Sequence, residues 1–430
     1  MRKNYNTENE KIKRIKEKTL VIGVDIAKDA HYARVLNWRK IEVNKGIKFT
    51  NTKEGFEKFL RWQSKVLKQE EAVDILVAME PTGTYYFVLE EYLERIGIEV
   101  VIVNGRDVRR TSEVMGNDSS KNDPRDALII SRLAIDGRYS ESLRPKEGNY
   151  AELRELVSLR ELLEEDQIRN TNRLHTLFSQ IFPEYRKFKK RGISSGILSL
   201  YKELGSLNKI VQAGEEGIYS IWRQTGTTNY GRGKAHLVYE QARKSIGIRQ
   251  RSQATEHKIK TLIRIYEMTQ KELEDTEEKI RQQLEQMPQS KLLMEIKGIG
   301  TIITAEILSE IGDIKNYKSY KQIQKLAGYA IVSKSSGKHH GKEKSSKMGR
   351  KLLKGILFRA AIVLISTNQA FRSIYDYYTK DRNNPLIKMK AVIALACKLI
   401  RVIYTMLKTN TQYDERKMLT DIHRPKCLTA

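Results

Sequence analysis

Cysteine is nearly missing from this chain: Cys397 and Cys427 are the only two among 430 residues. A disulfide framework and a cysteine-rich zinc site are thereby excluded, and a reducing compartment is expected. Long apolar runs are missing as well. No stretch approaches the roughly 18 apolar residues of a membrane span, and residues 1–18 are polar and basic rather than leader-like. A cytoplasmic protein with no membrane partner is expected. Acids are in deficit: 53 Asp and Glu stand against 79 Lys and Arg, a formal net charge of +26. Such an excess favours a polyanion through counterion release, and its recurrence in clusters points to nucleic acid. The length suffices for two or three domains with their own cores.

Against that basic background four acids stand out. Asp25 ends the apolar run Leu20–Val24, and Glu80 ends the run Ile75–Met79. Both runs predict short buried strands, and a strand covered on both faces has little reason to end in an acid. Asp123 and Asp126 sit three apart at the start of a predicted helix, so they share a face. Acids from two strand ends and one helix, if brought together, repel one another and require divalent cations. That is the make-up of a two-metal phosphoryl-transfer site. Helix capping also accounts for the pair, with Asp123 at the N-cap, Pro124 at N1 and Asp126 at N3. The presence of Asp25 and Glu80 favours the metal reading.

Residues 19–145 alternate strand and helix signals. A three-strand meander, ending at about residue 49, precedes a helix at 52–67, a strand at 75–79, a helix at 85–95, a strand at 98–103 and a helix from Asp123. This order predicts an α/β ribonuclease H-like domain whose first and fourth strands are neighbours. From 146 to 290 the chain reads as helical. Leu153, Leu156, Leu159 and Leu163 recur at helical spacing, and the pattern continues to Pro183. Residues 255–287 carry a coiled-coil seam of Ile259, Leu262, Tyr266, Thr269, Leu273, Thr276 and Ile280. Two threonines weaken it, so an antiparallel pair with the 150–182 helix and a dimer are both open. Residues of about 190–250 are richer in glycine and predict an insertion of short helices and loops. A mainly α domain is expected over 291–410, with tails at 1–18 and 411–430.

Within the last domain, Gly298-Ile299-Gly300 resembles the turn of a helix-hairpin-helix element, whose glycines let backbone N–H groups approach a phosphate. Taken singly, Gly-x-Gly is only a tight turn. Further on, serines are embedded among Lys334, Lys338, His339, His340 and Lys342, with Arg350 following. A flexible cationic loop of this kind suits a phosphate backbone. It reads either as solvated surface or as the carrier of a serine nucleophile, with Lys and His beside the alkoxide.

The segments Val21–Lys28, Met79–Tyr85 and Lys121–Ala127 resemble the three N-terminal motifs of the DEDD transposases of bacterial insertion sequences, the IS110 family. Ile296–Gly300, Leu326–Tyr329, Ser335–Gly337 and Met348–Arg350 resemble that family's second domain. The resemblance covers most of residues 19–408. It implies an RNA-guided DNA recombinase of a prokaryotic insertion sequence, acting at the nucleoid. A RuvC-like domain would bind Mg2+, or Mn2+ in its place, through Asp25, Glu80, Asp123 and Asp126. A C-terminal serine would attack the phosphodiester and form a covalent protein–DNA intermediate. Ser336, directly before Gly337, matches the nucleophile best, with Ser335 as the second choice. Lys334, Lys338, His339, His340, Lys342, Arg350, Gly298 and Gly300 are the expected nucleic-acid contacts. Implied partners are donor and target double-stranded DNA, a structured guide RNA and further copies of the chain, as a dimer or tetramer. Two places depart from the family pattern: Ile331-Val332 stand where members carry Pro-Arg, and residues 190–250 have no counterpart. The competing functions are a metal-dependent Holliday-junction-type nuclease using the four acids alone, and a non-catalytic nucleic-acid scaffold.

Overall fold

The computed structural model describes residues 2–115, 123–141, 148–188, 192–227, 229–248, 253–332, 335–336, 339–340, 344–346 and 348–419. The chain divides into two units, 1–143 and 144–430. In the first unit six strands form one mixed sheet: β1 (Thr19–Asp25), β2 (Ala30–Leu36), β3 (Glu42–Thr50), β4 (Asp74–Met79), β5 (Glu99–Val103) and β6 (Tyr139–Glu141). Their order is β3-β2-β1-β4-β5-β6. Strands β1 to β3 are antiparallel neighbours, β1, β4 and β5 run parallel, and β6 returns antiparallel to β5. The expected adjacency of first and fourth strands is present, with Val24 opposite Met79.

Helices α1 (Arg2–Arg14), α2 (Lys53–Gln69), α3 (Tyr86–Arg95), α4 (Gly105–Met115) and α5 (Asp123–Ile135) complete the unit. Side chains alternate across a strand, so the sheet carries two cores. Ile22, Val24, Val77 and Met79 pack with Phe56 and Phe59 of α2 and with Leu89 and Leu93 of α3. Val21, Leu76, Ala78 and Val101 pack with Val108 of α4 and with Ile129, Ile130 and Leu133 of α5. The strand–helix order agrees with the ribonuclease H-like expectation; α1, α4 and β6 are additions. Within residues 1–18, expected only as a basic tail, Arg2–Arg14 form α1. Arg14 at its end donates to the Glu99 carboxylate at 2.6 and 3.0 Å and also pairs with Asp74.

The second unit is mainly helical: α6 (Gly148–Ile181), α7 (Ser195–Leu204), α8 (Leu207–Gln224), α9 (Arg232–Arg243), α10 (Gln253–Glu285), α11 (Pro288–Met294), α12 (Thr301–Ile311), α13 (Tyr320–Leu326), α14 (Lys351–Thr367), α15 (Gln369–Asp376), α16 (Lys388–Thr409) and α17 (Glu415–Leu419). Helices α6 and α10 run antiparallel in contact, with Arg160 bonded to Glu277, Gln167 to Gln270 and Asn170 to Thr269. The threonines of the seam are buried, and each hydroxyl donates one turn back, Thr269 to the Ile265 carbonyl and Thr276 to that of Glu272. Their polar atoms are therefore satisfied inside the helix.

Residues 190–250, expected as short helices and loops, hold three helices that share a core. Helices α7, α8 and α9 pack on one end of the α6–α10 pair around Trp222, Tyr201, Tyr185 and Phe178. The buried Trp222 Nε1 donates to the Gly196 carbonyl at 2.9 Å. Among the described residues no single helix is long and apolar enough to cross a membrane.

Candidate functional site

Strand alternation decides where the acids stand. Val21 of β1 and Leu76 and Ala78 of β4 face the core that α5 completes. By the two-residue period, Gly23, Asp25 and Glu80 continue that face. Since Val24 lies opposite Met79, Asp25 and Glu80 follow as the next positions on neighbouring strands.

Helix α5 lies across β1 at very short range. A Cβ on Gly23 would stand 2.1 Å from the Ala127 carbonyl oxygen, 2.5 Å from Ser131 Oγ and 2.6 Å from Ser131 N. Only glycine admits this approach, which carries Asp126, the residue before Ala127, toward the end of β1 that bears Asp25. Ser131 Oγ stitches helix to sheet, donating to the Ala127 carbonyl at 3.0 Å and to the Arg34 carbonyl at 3.3 Å. Arg34 in turn donates to the Pro124 carbonyl at 3.3 Å. Asp25, Glu80 and Asp126 are all half-buried.

Asp25 and Glu80 share one face of the sheet. Glu80 turns its carboxylate to the β5 side of β4: a Cβ on Gly105, the first residue of α4, would meet Glu80 Oε1 at 2.2 Å. Among the described residues, no three Asp, Glu, His or Cys side chains are close enough to hold a metal ion. Asp123 opens α5, and its side chain lies outside the described residues. The donors on this face are carboxylate oxygens, a set that suits Mg2+ or Mn2+ better than zinc.

In the second unit, Ser335-Ser336 pairs antiparallel with His339-His340, Ser335 opposite His340 and Ser336 opposite His339. Ile331-Val332 pairs with Lys344-Ser345. The segment expected as a flexible loop thus contains two short ladders; the β-branched Ile331 and Val332 suit such pairing. The side chains of Ser335, Ser336, His339 and His340, and Lys334, Lys338 and Lys342 altogether, lie outside the described residues.

The base of this segment is held tightly. Arg350 N donates to the Leu326 carbonyl at 2.7 Å and Ser346 N to the Ala330 carbonyl at 2.8 Å. A Cβ on Gly349 would lie 2.3 Å from Gly328 N. The Arg350 side chain, expected at nucleic acid, donates to the Glu310 carbonyl at 2.6 Å and stands 3.6 Å from its carboxylate. Arg154 of α6 approaches the same buried carboxylate at 3.6 Å. One turn earlier on α12, Glu306 meets Arg359 at 3.0 Å and Arg160 at 3.6 Å. Burial pushes the Glu306 carboxyl above the usual range, although both arginines pull it down.

Gly298 adopts φ 107°, and a Cβ there would lie 2.2 Å from Thr367 Oγ1, so its glycine is required by packing on α14. Gly300 caps α12 without a side-chain partner. Sequence reading passes over Gly23 and Glu310. A glycine interrupting a buried strand is the available signal for the first; nothing local marks the second.

Two family models match the chain: a DEDD transposase model of IS110 type over residues 22–183, and a model of the IS116/IS110/IS902 transposase family over residues 290–376. The uncharacterized 44.8 kDa protein of insertion element IS116 from Streptomyces clavuligerus is 24% identical over 346 residues, covering 79% of this chain and 84% of its own. The mini-circle putative transposase for IS117 from Streptomyces coelicolor is 21% identical over 414 residues, 93% of this chain and 96% of its own. A pilin gene-inverting protein of Moraxella bovis is 27% identical over 128 residues, 30% of this chain and 39% of its own.

Proposed function

This chain belongs to the IS110 family of DEDD transposases, and from that premise we propose that it is the RNA-guided DNA recombinase of an insertion sequence, joining strands through a covalent serine–DNA intermediate. What supports the reading is one juxtaposition: Asp25 and Glu80 on a single sheet face, with α5, which carries Asp126, pressed onto Gly23. Together with Asp123 they would hold Mg2+ or Mn2+, which when bound would stabilise charge developing on the phosphate oxygens. Ser336, with Ser335 as the second choice, takes the place of water. Its Oγ forms the new bond to phosphorus and gives up its proton. The bond from phosphorus to the leaving sugar oxygen breaks, and that oxygen takes up a proton. The resulting serine phosphodiester conserves the energy of the broken bond, so rejoining requires no ATP. One relative is named as gene-inverting, and inversion rejoins the strands that it breaks.

In the same reading, residues 19–145 are a RuvC-like domain, 146–290 a coiled-coil spacer, and 291–410 the serine domain with a helix-hairpin-helix-like element at Gly298 and Gly300. Lys334, Lys338, His339, His340 and Lys342 contact phosphates. The partners are donor and target DNA, a structured guide RNA and further copies of the chain, two to four in all, at the nucleoid in the cytoplasm.

The test uses the full chain with its co-purified RNA, Mg2+ and cognate DNA. Protease digestion is expected to leave a nucleotide adduct on Ser336. Ser336→Ala should abolish joining while RNA binding persists, and Asp25→Asn should abolish cleavage. Normal joining by both Ser336→Ala and Ser335→Ala refutes the serine assignment. Cleavage undiminished in Asp25→Asn, or independent of divalent metal, refutes the acidic site.

A further inference from the structure

The line of Asp25 continues outward across the sheet. Asp25 pairs with Tyr32 of β2, and Tyr32 with Lys48 of β3. Directly opposed residues of antiparallel strands point to one face. The flanking pairs obey this: Val21 and Leu36 share the core on the α5 side, while Ala33 and Ile47 share the other with Phe49, whose ring the His31 imidazole meets edge to face. Glu80, Asp25, Tyr32 and Lys48 therefore form one row over four adjacent strands, roughly 15 Å long at about 4.8 Å per strand.

Tyr32 is half-buried and Lys48 exposed. The ring of Tyr32 rests on β3: a Cβ on Gly46 would stand 2.6 Å from Tyr32 Cε1 and 2.9 Å from Arg34 Cδ. Glycine at 46 thus provides the space over β3 in which the ring lies. Arg34, the next residue on that face, is taken up by Glu42 and the Pro124 carbonyl, so it borders the row rather than belonging to it. Carboxylate, aromatic face and ammonium in sequence complement a single nucleic-acid strand. The acids, through a cation, would meet the reacting phosphate, the ring a base, and the ammonium a neighbouring phosphate.

We propose that Tyr32 is a stacking site for an unpaired nucleobase of DNA beside the scissile phosphate, and that Lys48 binds the phosphate beyond it. The proposal rests on the reading of Asp25 as part of the cutting site. Because every base has an aromatic face, this site would select for an unpaired strand rather than for a sequence.

The probe is an oligodeoxythymidylate carrying one 5-iododeoxyuridine, irradiated with the full chain in Mg2+ and mapped by peptide mass spectrometry. The crosslink is expected on Tyr32. Tyr32→Leu should bind the probe about tenfold more weakly (about 1.4 kcal/mol, within what one stacked base supplies). Tyr32→Phe should restore binding, a rescue that separates stacking from a role of the hydroxyl. Lys48→Gln should reduce the slope of log affinity against log salt by about 0.7. Crosslinks confined to other residues, or unchanged affinity in a folded Tyr32→Leu protein, overturn the proposal. The same measurements on Asp25→Asn keep the two readings apart. If that variant cuts DNA normally while the Tyr32 crosslink persists, the acidic site fails and the stacking site stands.

Discussion

Replacing Gly23 with alanine adds one carbon at the tightest contact between sheet and helix near the acids. That carbon would stand 2.1 Å from the Ala127 carbonyl oxygen and 2.6 Å from Ser131 N, where ordinary contact begins near 3.4 Å. Both are backbone atoms of α5, so no rotamer change relieves the clash, and the helix must retreat by about 1 Å or more. Ser131 Oγ, at 2.5 Å, can turn away only by giving up its bonds to Ala127 and Arg34. Overpacking of this kind costs about 1–3 kcal/mol, and the lost hydrogen bond about 1 kcal/mol more. A loss of about 2–4 kcal/mol lowers the midpoint of a unit of this size by roughly 6–15 °C, which calorimetry of the full chain would read. The same retreat moves Asp126 against Asp25. A misplacement of about 1 Å in a catalytic constellation costs on the order of 100-fold in rate, so Mg2+-dependent strand cleavage, assayed well below the new midpoint, should fall by that factor. A Gly23→Ala protein with an unchanged midpoint would refute the α5–β1 contact. One that is destabilised yet cuts at the parental rate would refute the idea that this contact sets the acids' geometry.

Arg350→Ala removes the bond to the Glu310 carbonyl and one cation from a buried carboxylate, a loss of about 2–3 kcal/mol. DNA joining should fall while the salt dependence of DNA affinity stays as it was. A stable variant whose salt slope drops by about 0.9 would instead mark Arg350 as a phosphate contact. The His31 imidazole, buried against Phe49 and Phe56, is held below its ordinary 6.5 by loss of hydration. The folded chain therefore binds fewer protons than the unfolded chain as pH falls through 6.5. Stability is full above that value and declines on acidification until the folded-state pKa is passed. Urea midpoints at about pH 7 and about pH 5.5 should differ less in His31→Phe than in the parent; an equal difference would refute this assignment.

The legible parts are those whose cause is local. Leu20–Val24 and Ile75–Met79 announce strands because both faces are covered by apolar residues, and Asp25 and Glu80 then appear as anomalies at their ends. Pro183 and Pro288 mark the ends of long helical patterns, and α6 and α10 stop before them. The illegible parts depend on partners far along the chain. Arg14 looks like one more basic residue in a tail until Asp74 and Glu99, 60 and 85 residues away, receive it. Arg350 sits among lysines and reads as one of them, yet its partner Glu310 lies on a buried helix 40 residues earlier. The stretch 190–250 hides its core because Trp222, Tyr201 and Phe178 come from separate helices with no shared period.

Periodicity and composition alone determined the order of β1 to β5 with α2, α3 and α5, the placing of Asp25 and Glu80 at the ends of β1 and β4, and the anionic character of the partner. Alternation along a strand and net charge need no knowledge of distant segments. Tertiary structure alone decided how near α5 comes to β1, that α6 receives the 255–287 seam within the chain, that Glu80 leans toward Gly105, and that Tyr32 lies in line with Asp25. Those are separations between segments remote in sequence, and they are set only when all packing surfaces are fitted together at once.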